Sequence, residues 1–118
     1  MFNYSDRILD HFYHPRNVGV FSKEETVIEY TKATPDKSAV MQLQTKVQNG
    51  VITAVKFKTF GCPCCIAVTS VITTWLENKA IHELSDISAE KIIRYLDLPK
   101  EKYYCALLGE DLVKDIML

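Results

Sequence analysis

Apolar and polar positions alternate with two different periods along this chain. Met41, Leu43, Thr45 and Val47 fall on one side of an extended segment, with Gln42, Gln44 and Lys46 on the other. Val51, Thr53, Val55 and Phe57 likewise alternate with Ala54, Lys56 and Lys58. Asn49-Gly50 between the two runs is the strongest short hairpin signal, so an antiparallel pair with one wet face and one face needing cover is expected. An earlier run, TVIEYTKA at 26–33, alternates less regularly and is expected as a further strand.

After Gly61 the period lengthens. Val68, Val71, Ile72, Trp75 and Leu76 recur at i, i+3, i+4, i+7 and i+8, which predicts a helix running to about Asn78. Ser88 can cap another, with Ala89, Ile92, Ile93 and Leu96 along one side and Pro99 beyond its end. A last helix is expected from about Cys105, its face made by Leu108, Leu112 and Ile116, with Glu110 and Asp111 near its start. At the other end of the chain, Ser5 is expected to cap a short helix carrying Ile8, Leu9 and Phe12 that stops near His14, because Pro15 follows. Arg16-Asn17-Val18-Gly19 then reads as a turn. The elements predict an α+β fold: a single two-layer domain over residues 1–118, a small antiparallel sheet with helices packed on it.

A chain of 118 residues removes roughly two thirds of its unfolded surface from water without staples, so no metal is needed merely to fold it. With 47% apolar residues, 25% charged residues and a formal charge of -1, it has no basic excess of the kind nucleic acid requires. No run approaches the roughly 20 apolar residues of a membrane span, and the charged segment MFNYSDRILDHFYHPRN has no signal-peptide core. A cytoplasmic location is expected.

That expectation changes how the four cysteines are read. A reducing compartment disfavours structural disulfides and makes clustered thiols candidates for metal binding or catalysis. Three of the four, Cys62, Cys64 and Cys65, lie in FGCPCCIAV at 60–68. Pro63 suits the first helical position, which makes Cys62 the expected N-cap and puts Cys64 and Cys65 in the first turn. Unpaired N–H groups and the positive end of the helix dipole favour an anion there, and a thiolate is that anion. Cys105 opens the last helix in the same way. Where two such helix starts meet, the thiols suffice for a tetrahedral zinc or one side of an iron–sulfur cluster. Cys62 and Cys65, three apart, can reach one metal, whereas Cys64 and Cys65 are adjacent and point differently. The C-P-x-C form also raises thiol–disulfide chemistry, but that use needs a parallel βαβ setting and a later cis-proline; here the motif follows a hairpin and only Pro99 comes later.

Four segments, YSDRILDHFYHPRNVG at 4–19, AVMQLQTKV at 39–47, VKFKTFGC at 55–62 and KYYCALLGEDLVKDI at 102–116, together resemble the IscU/NifU-type iron–sulfur cluster scaffold family, in order and nearly end to end. The resemblance implies a three-stranded antiparallel sheet with helices packed on it. It implies a platform rather than an enzyme. Such a protein receives sulfur from a cysteine desulfurase, assembles a [2Fe-2S] cluster on cysteines and passes it to recipient apo-proteins. An Hsp70-type chaperone is a further implied partner, whose docking segment in the family resembles Leu98-Pro99-Lys100-Glu101-Lys102 at its ends and first proline.

Residue by residue, Cys62 and Cys105 match two ligand cysteines of that family. The first ligand cysteine lies in a loop that here reads DKSAVM, so Lys37 stands where a cysteine is expected and Ala39 where an aspartate is. Tyr104 replaces a histidine. Cys65 or Cys64 would then complete a relocated site with Cys62 and Cys105, and Lys37 would offset thiolate charge. Two other functions remain open: a zinc-binding acceptor that relays persulfide, and an adaptor that keeps the fold but not cluster assembly. His11 and His14 are not expected as ligands, and Trp75, Tyr103 and Tyr104 are expected to pack.

Overall fold

The computed structural model describes residues 3–118. Three strands, β1 (Ile28–Ala33), β2 (Val40–Gln48) and β3 (Val51–Phe60), form an antiparallel sheet in the order β1-β2-β3. Helices α1 (Asp6–Tyr13), α2 (Pro63–Leu76), α3 (Ala89–Leu96) and α4 (Tyr103–Ile116) pack on it, with short 3-10 turns at Ile81–Asp86 and Lys100–Lys102 that the pattern did not announce. No helix among the described residues is long and apolar enough to cross a membrane.

The hairpin closes where Asn49 and Gly50 both take positive φ, leaving Gln48 opposite Val51. One turn of the expected alternation fails there. Lys46 pairs with Ala54 and Val47 with Ile52, so Thr53 is the extra residue of a bulge. Beyond it the face changes phase: Ile52 is buried instead of Val51 or Thr53, while Val55 and Phe57 point inward as expected. The outer edge of β3 is covered by chain on both halves. Gly19 and Asn17 exchange backbone hydrogen bonds with Phe57, and Asn78 and Lys79 do so with Ile52.

Ser5 accepts from the N–H of Ile8 at 3.2 Å and caps α1, and its hydroxyl donates to the Leu96 carbonyl. The inward residues of α1 are Ile8 and His11, and Leu9 is exposed, so the stripe is narrower than its apolar residues suggest. Ser88 caps α3 through the Lys91 N–H at 3.1 Å, as its position predicts.

The central helix is α2. Sheet, α1 and α4 surround it, and Ala67, Thr69, Ser70 and Thr73 are buried as well as the apolar stripe. Its buried hydroxyls are satisfied locally: Thr69 donates to the Cys65 carbonyl at 2.7 Å and Thr73 to the Ser70 carbonyl at 2.7 Å. α4 can lie close because its crossing residue is Gly109, where a Cβ would come within 2.6 Å of Ile72 Cδ1 and 2.9 Å of Val68 Cγ1. This close approach brings the starts of α2 and α4 together at one end of the sheet.

Candidate metal centre

β3 runs into α2 through Gly61, whose φ of +151° is a conformation L side chains rarely adopt. A Cβ there would also lie 3.3 Å from Cys65 Sγ and 3.4 Å from the Ala39 Cβ. Strand end, loop exit and thiol are therefore packed against one another. Cys62 is the N-cap of α2 and Pro63 its first residue, as the sequence predicts. α4 begins at Tyr103, two residues earlier than expected, which sets Cys105 inside its first turn.

The sulfurs of Cys62, Cys65 and Cys105 all lie within 4.8 Å of one another. Cys65 and Cys105 are 3.0 Å apart, Cys62 and Cys65 3.6 Å, and Cys62 and Cys105 3.8 Å. Cys65 and Cys105 are fully buried, whereas Cys62 is half-buried and forms the mouth of the group. Cys64, one residue from Cys65 on the helix, is outside this set of three. Its buried thiol interacts with Cys62 and with Tyr4.

The thiols are electrostatically unequal. Hydrogen bonding from Cys105, and then from Cys64 and Cys65, holds the Cys62 thiol well below its ordinary range against the opposing effect of burial. Cys105 is pushed up by its hydrogen bonds to Cys62 and Cys65 and by burial. At Cys65 the bond to Cys105 acts downward, but the bond to Cys62 and burial outweigh it and the thiol stands at about 11. Cys64 is raised by its bond to Cys62 and by burial. A metal held by all three sulfurs would need three thiolates, so its binding would release protons.

Two further residues stand at the mouth. Tyr104 Oη is 3.8 Å from Cys62 Sγ, and the Lys102 ammonium lies 5.8 Å from the centre of the Tyr104 ring. Burial acts to lower the Lys102 pKa, but attraction to Cys62, Cys105 and Cys64 leaves it raised. Burial, and then Cys64, push Tyr4 up to about 12. Sequence reading assigned Tyr104 to packing and gave Lys102 no part in the site. Their signals were the place of Tyr104 where the resemblance expects a histidine, and the place of both within three residues of Cys105 at a helix start. Lys37 is exposed, at a positive-φ turn position in the loop between β1 and β2. The residue of that loop that packs beside the thiols is Ala39, fully covered.

A family model for the NifU-like N terminal domain matches residues 3–117. The chain belongs to that family. The iron-sulfur cluster assembly scaffold protein IscU of Haemophilus influenzae is 41% identical over 113 residues, covering 94% of this chain and 90% of the relative. IscU of Escherichia coli K12 is 39% identical over 113 residues, covering 94% and 88%. Solved structures share the fold at lower identity. The N-terminal part of a NifU-like protein from Brucella abortus superposes with a TM-score of 0.75 at 18% identity, covering 96% of this chain and 90% of that one. A candidate scaffold protein for the SUF system of Fervidobacterium islandicum gives 0.78 at 19%, covering 98% and 96%. Three antiparallel strands under helices, expected from pattern and resemblance alike, are what this NifU-like domain has.

Proposed function

We propose that this chain is an iron–sulfur cluster assembly scaffold that builds and carries a [2Fe-2S] cluster on Cys62, Cys65 and Cys105. The observation that carries the reading is the convergence of three sulfurs from two helix starts within 4.8 Å. Its relatives at about 40% identity are named as scaffolds for this cargo, and their names describe assembly platforms rather than enzymes. Thiolates are the usual cluster ligands, and a [2Fe-2S] unit offers four terminal positions. Three thiolates leave one position exchangeable, which suits a cargo that must be handed on. The positive ends of α2 and α4 and the ammonium of Lys102 offset the negative charge that the loaded site gathers.

In this reading Cys65, not Cys64, is the third ligand, and Lys102 takes the charge-balancing part assigned from sequence to Lys37. Sulfur arrives from a cysteine desulfurase, and the cluster leaves to recipient apo-proteins. An Hsp70-type chaperone reading Leu98-Pro99-Lys100-Glu101-Lys102 would have to draw Leu98, now 4% exposed, out of the core. Its binding would therefore be coupled to local opening beside Lys102.

The same three-thiolate group with one open position also fits zinc. The test is metal and sulfide content per chain, after anaerobic purification and incubation with a cysteine desulfurase, cysteine and ferrous iron. Iron and acid-labile sulfide in near-equal amounts, with visible absorbance, are expected. Zinc without sulfide would replace the scaffold by a persulfide relay, and neither would leave an adaptor.

A further inference from the structure

Cys62 differs from the two sulfurs behind it in having a partner that is not a thiol. Tyr104 and Cys105 are successive residues in the first turn of α4, so their side chains leave the helix about 100° apart. Cys105 turns into the core. Tyr104 stays at the surface, 38% exposed, and its ring reaches across the mouth until Oη stands 3.8 Å from Cys62 Sγ. Packing alone does not call for a hydroxyl at that point, since a phenyl ring would cover the same surface. The Lys102 ammonium lies over the ring, 5.8 Å from its centre.

We infer that the Tyr104 hydroxyl donates a hydrogen bond to the Cys62 sulfur in the metal-loaded site, making Tyr104 a positioning residue that tunes the Cys62–metal bond. The inference rests on the scaffold reading for its cargo but not for its geometry. A phenol carries an O–H donor and a ligating thiolate has no proton of its own, so the bond across the 3.8 Å contact runs from Tyr104 to Cys62. A hydrogen bond to a ligating sulfur withdraws electron density from the metal–sulfur bond. Among the levers on cluster potential, hydrogen bonds to sulfur are one of the principal ones. Cys62 thereby becomes the weakest-donating of the three thiolates and, being at the mouth, the one best placed to let go first.

The test uses Co2+ alone as probe, on wild type and Tyr104→Phe, with Tyr103→Phe as a comparison. Loss of the donor is expected to move the sulfur-to-cobalt charge-transfer band of Tyr104→Phe to longer wavelength and to tighten Co2+ binding about two- to tenfold, the range of one hydrogen bond. Tyr103→Phe should leave the band in place. In cluster-loaded protein the same Tyr104→Phe change should make the reduction potential more negative. Co2+ bound with identical bands in wild type and Tyr104→Phe overturns the inference and leaves the scaffold reading standing. A phenolate-to-iron charge-transfer band present in loaded wild type and absent from the variant overturns it too, because Tyr104 would then be a ligand. Failure of wild type to bind Co2+ at all removes the metal site and the inference with it.

Discussion

At the scale of single residues, the question the sequence posed most sharply is which of two neighbouring cysteines joins Cys62 and Cys105. Consecutive helical residues project about 100° apart, so Cys64 and Cys65 cannot share a direction. Which one faces Cys105 depends on how α2 is rotated about its axis. Periodicity could not settle that, because α2 is buried nearly all round and its apolar stripe marks only part of its covered surface. The contact of Thr69 with β3 helps to set the rotation: Thr59 Oγ1 is 2.7 Å from its hydroxyl oxygen. Cys65 Sγ then lies 3.0 Å from Cys105 Sγ, and Cys64 turns to Tyr4. Cys65→Ser is accordingly expected to cut iron and sulfide content severalfold after reconstitution. Cys64→Ser should retain wild-type content. Equal losses in both, with urea midpoints showing both variants folded, would return Cys64 to the ligand set. Cys62 and Cys105 were legible because helix-start chemistry marks them directly, whereas the contact between Tyr104 and Cys62 joins two helices and has no local trace.

At the scale of elements, the site exists because α2 and α4 approach closely, and Gly109 sets that distance. In an exposed helix Gly→Ala gains up to about 1 kcal/mol in helix propensity. Here the added methyl would sit 2.6 Å from Ile72 Cδ1 and 2.9 Å from Val68 Cγ1. Overpacking of a filled core costs about 1–3 kcal/mol, and the short, branched Val68 has little freedom to withdraw, so the clash outweighs the propensity. Gly109→Ala should lower the urea midpoint by an amount corresponding to about 1 kcal/mol, with an unchanged m-value. Adding Ile72→Val removes the atom nearest the new methyl. The double variant should therefore recover part of the loss, even though Ile→Val alone costs about 0.5–1.5 kcal/mol. A double variant losing the sum of both would show that α4 does not meet α2 at this point. Helices and hairpin were readable from period and caps because those signals are local. The bulge at Thr53 was not, since a strict alternation hides one extra residue, and nor was the glycine contact, which depends on a partner 37 or more positions away.

At the scale of the whole molecule, the first helix is held to the central one through a titratable group. His11 is 5% exposed, its Nδ1 is 2.8 Å from Ser70 Oγ, and that oxygen also accepts the Arg16 N–H at 2.9 Å. With Arg16 already donating to it, the Ser70 hydroxyl is best oriented to donate to a neutral His11 Nδ1, which leaves the imidazole proton on Nε2. Protonating Nδ1 would take away the acceptor to which the Ser70 hydroxyl proton is directed. Burial, and then the charge of Arg16, hold the His11 pKa below its ordinary value of about 6.5, while Asp10 opposes them; the Tyr95 ring packs edge-on alongside. A base whose folded pKa is depressed is neutral in the folded state where the unfolded chain already takes up a proton. Its stabilisation is therefore complete above about pH 6.5 and is lost as the pH falls through the lower, folded value. The slope in that window is at most about 1.4 kcal/mol per pH unit for one group. Urea midpoints should fall between pH 7 and pH 5 in wild type and fall less in His11→Gln, which cannot acquire the charge. Parallel curves would assign the acid sensitivity to other groups. Because Tyr4, just before α1, meets Cys64 behind the thiols, loosening α1 in acid would also loosen the packing behind the metal site. Cobalt-loaded protein should then broaden its charge-transfer band over the same pH window in wild type and keep it sharper in His11→Gln.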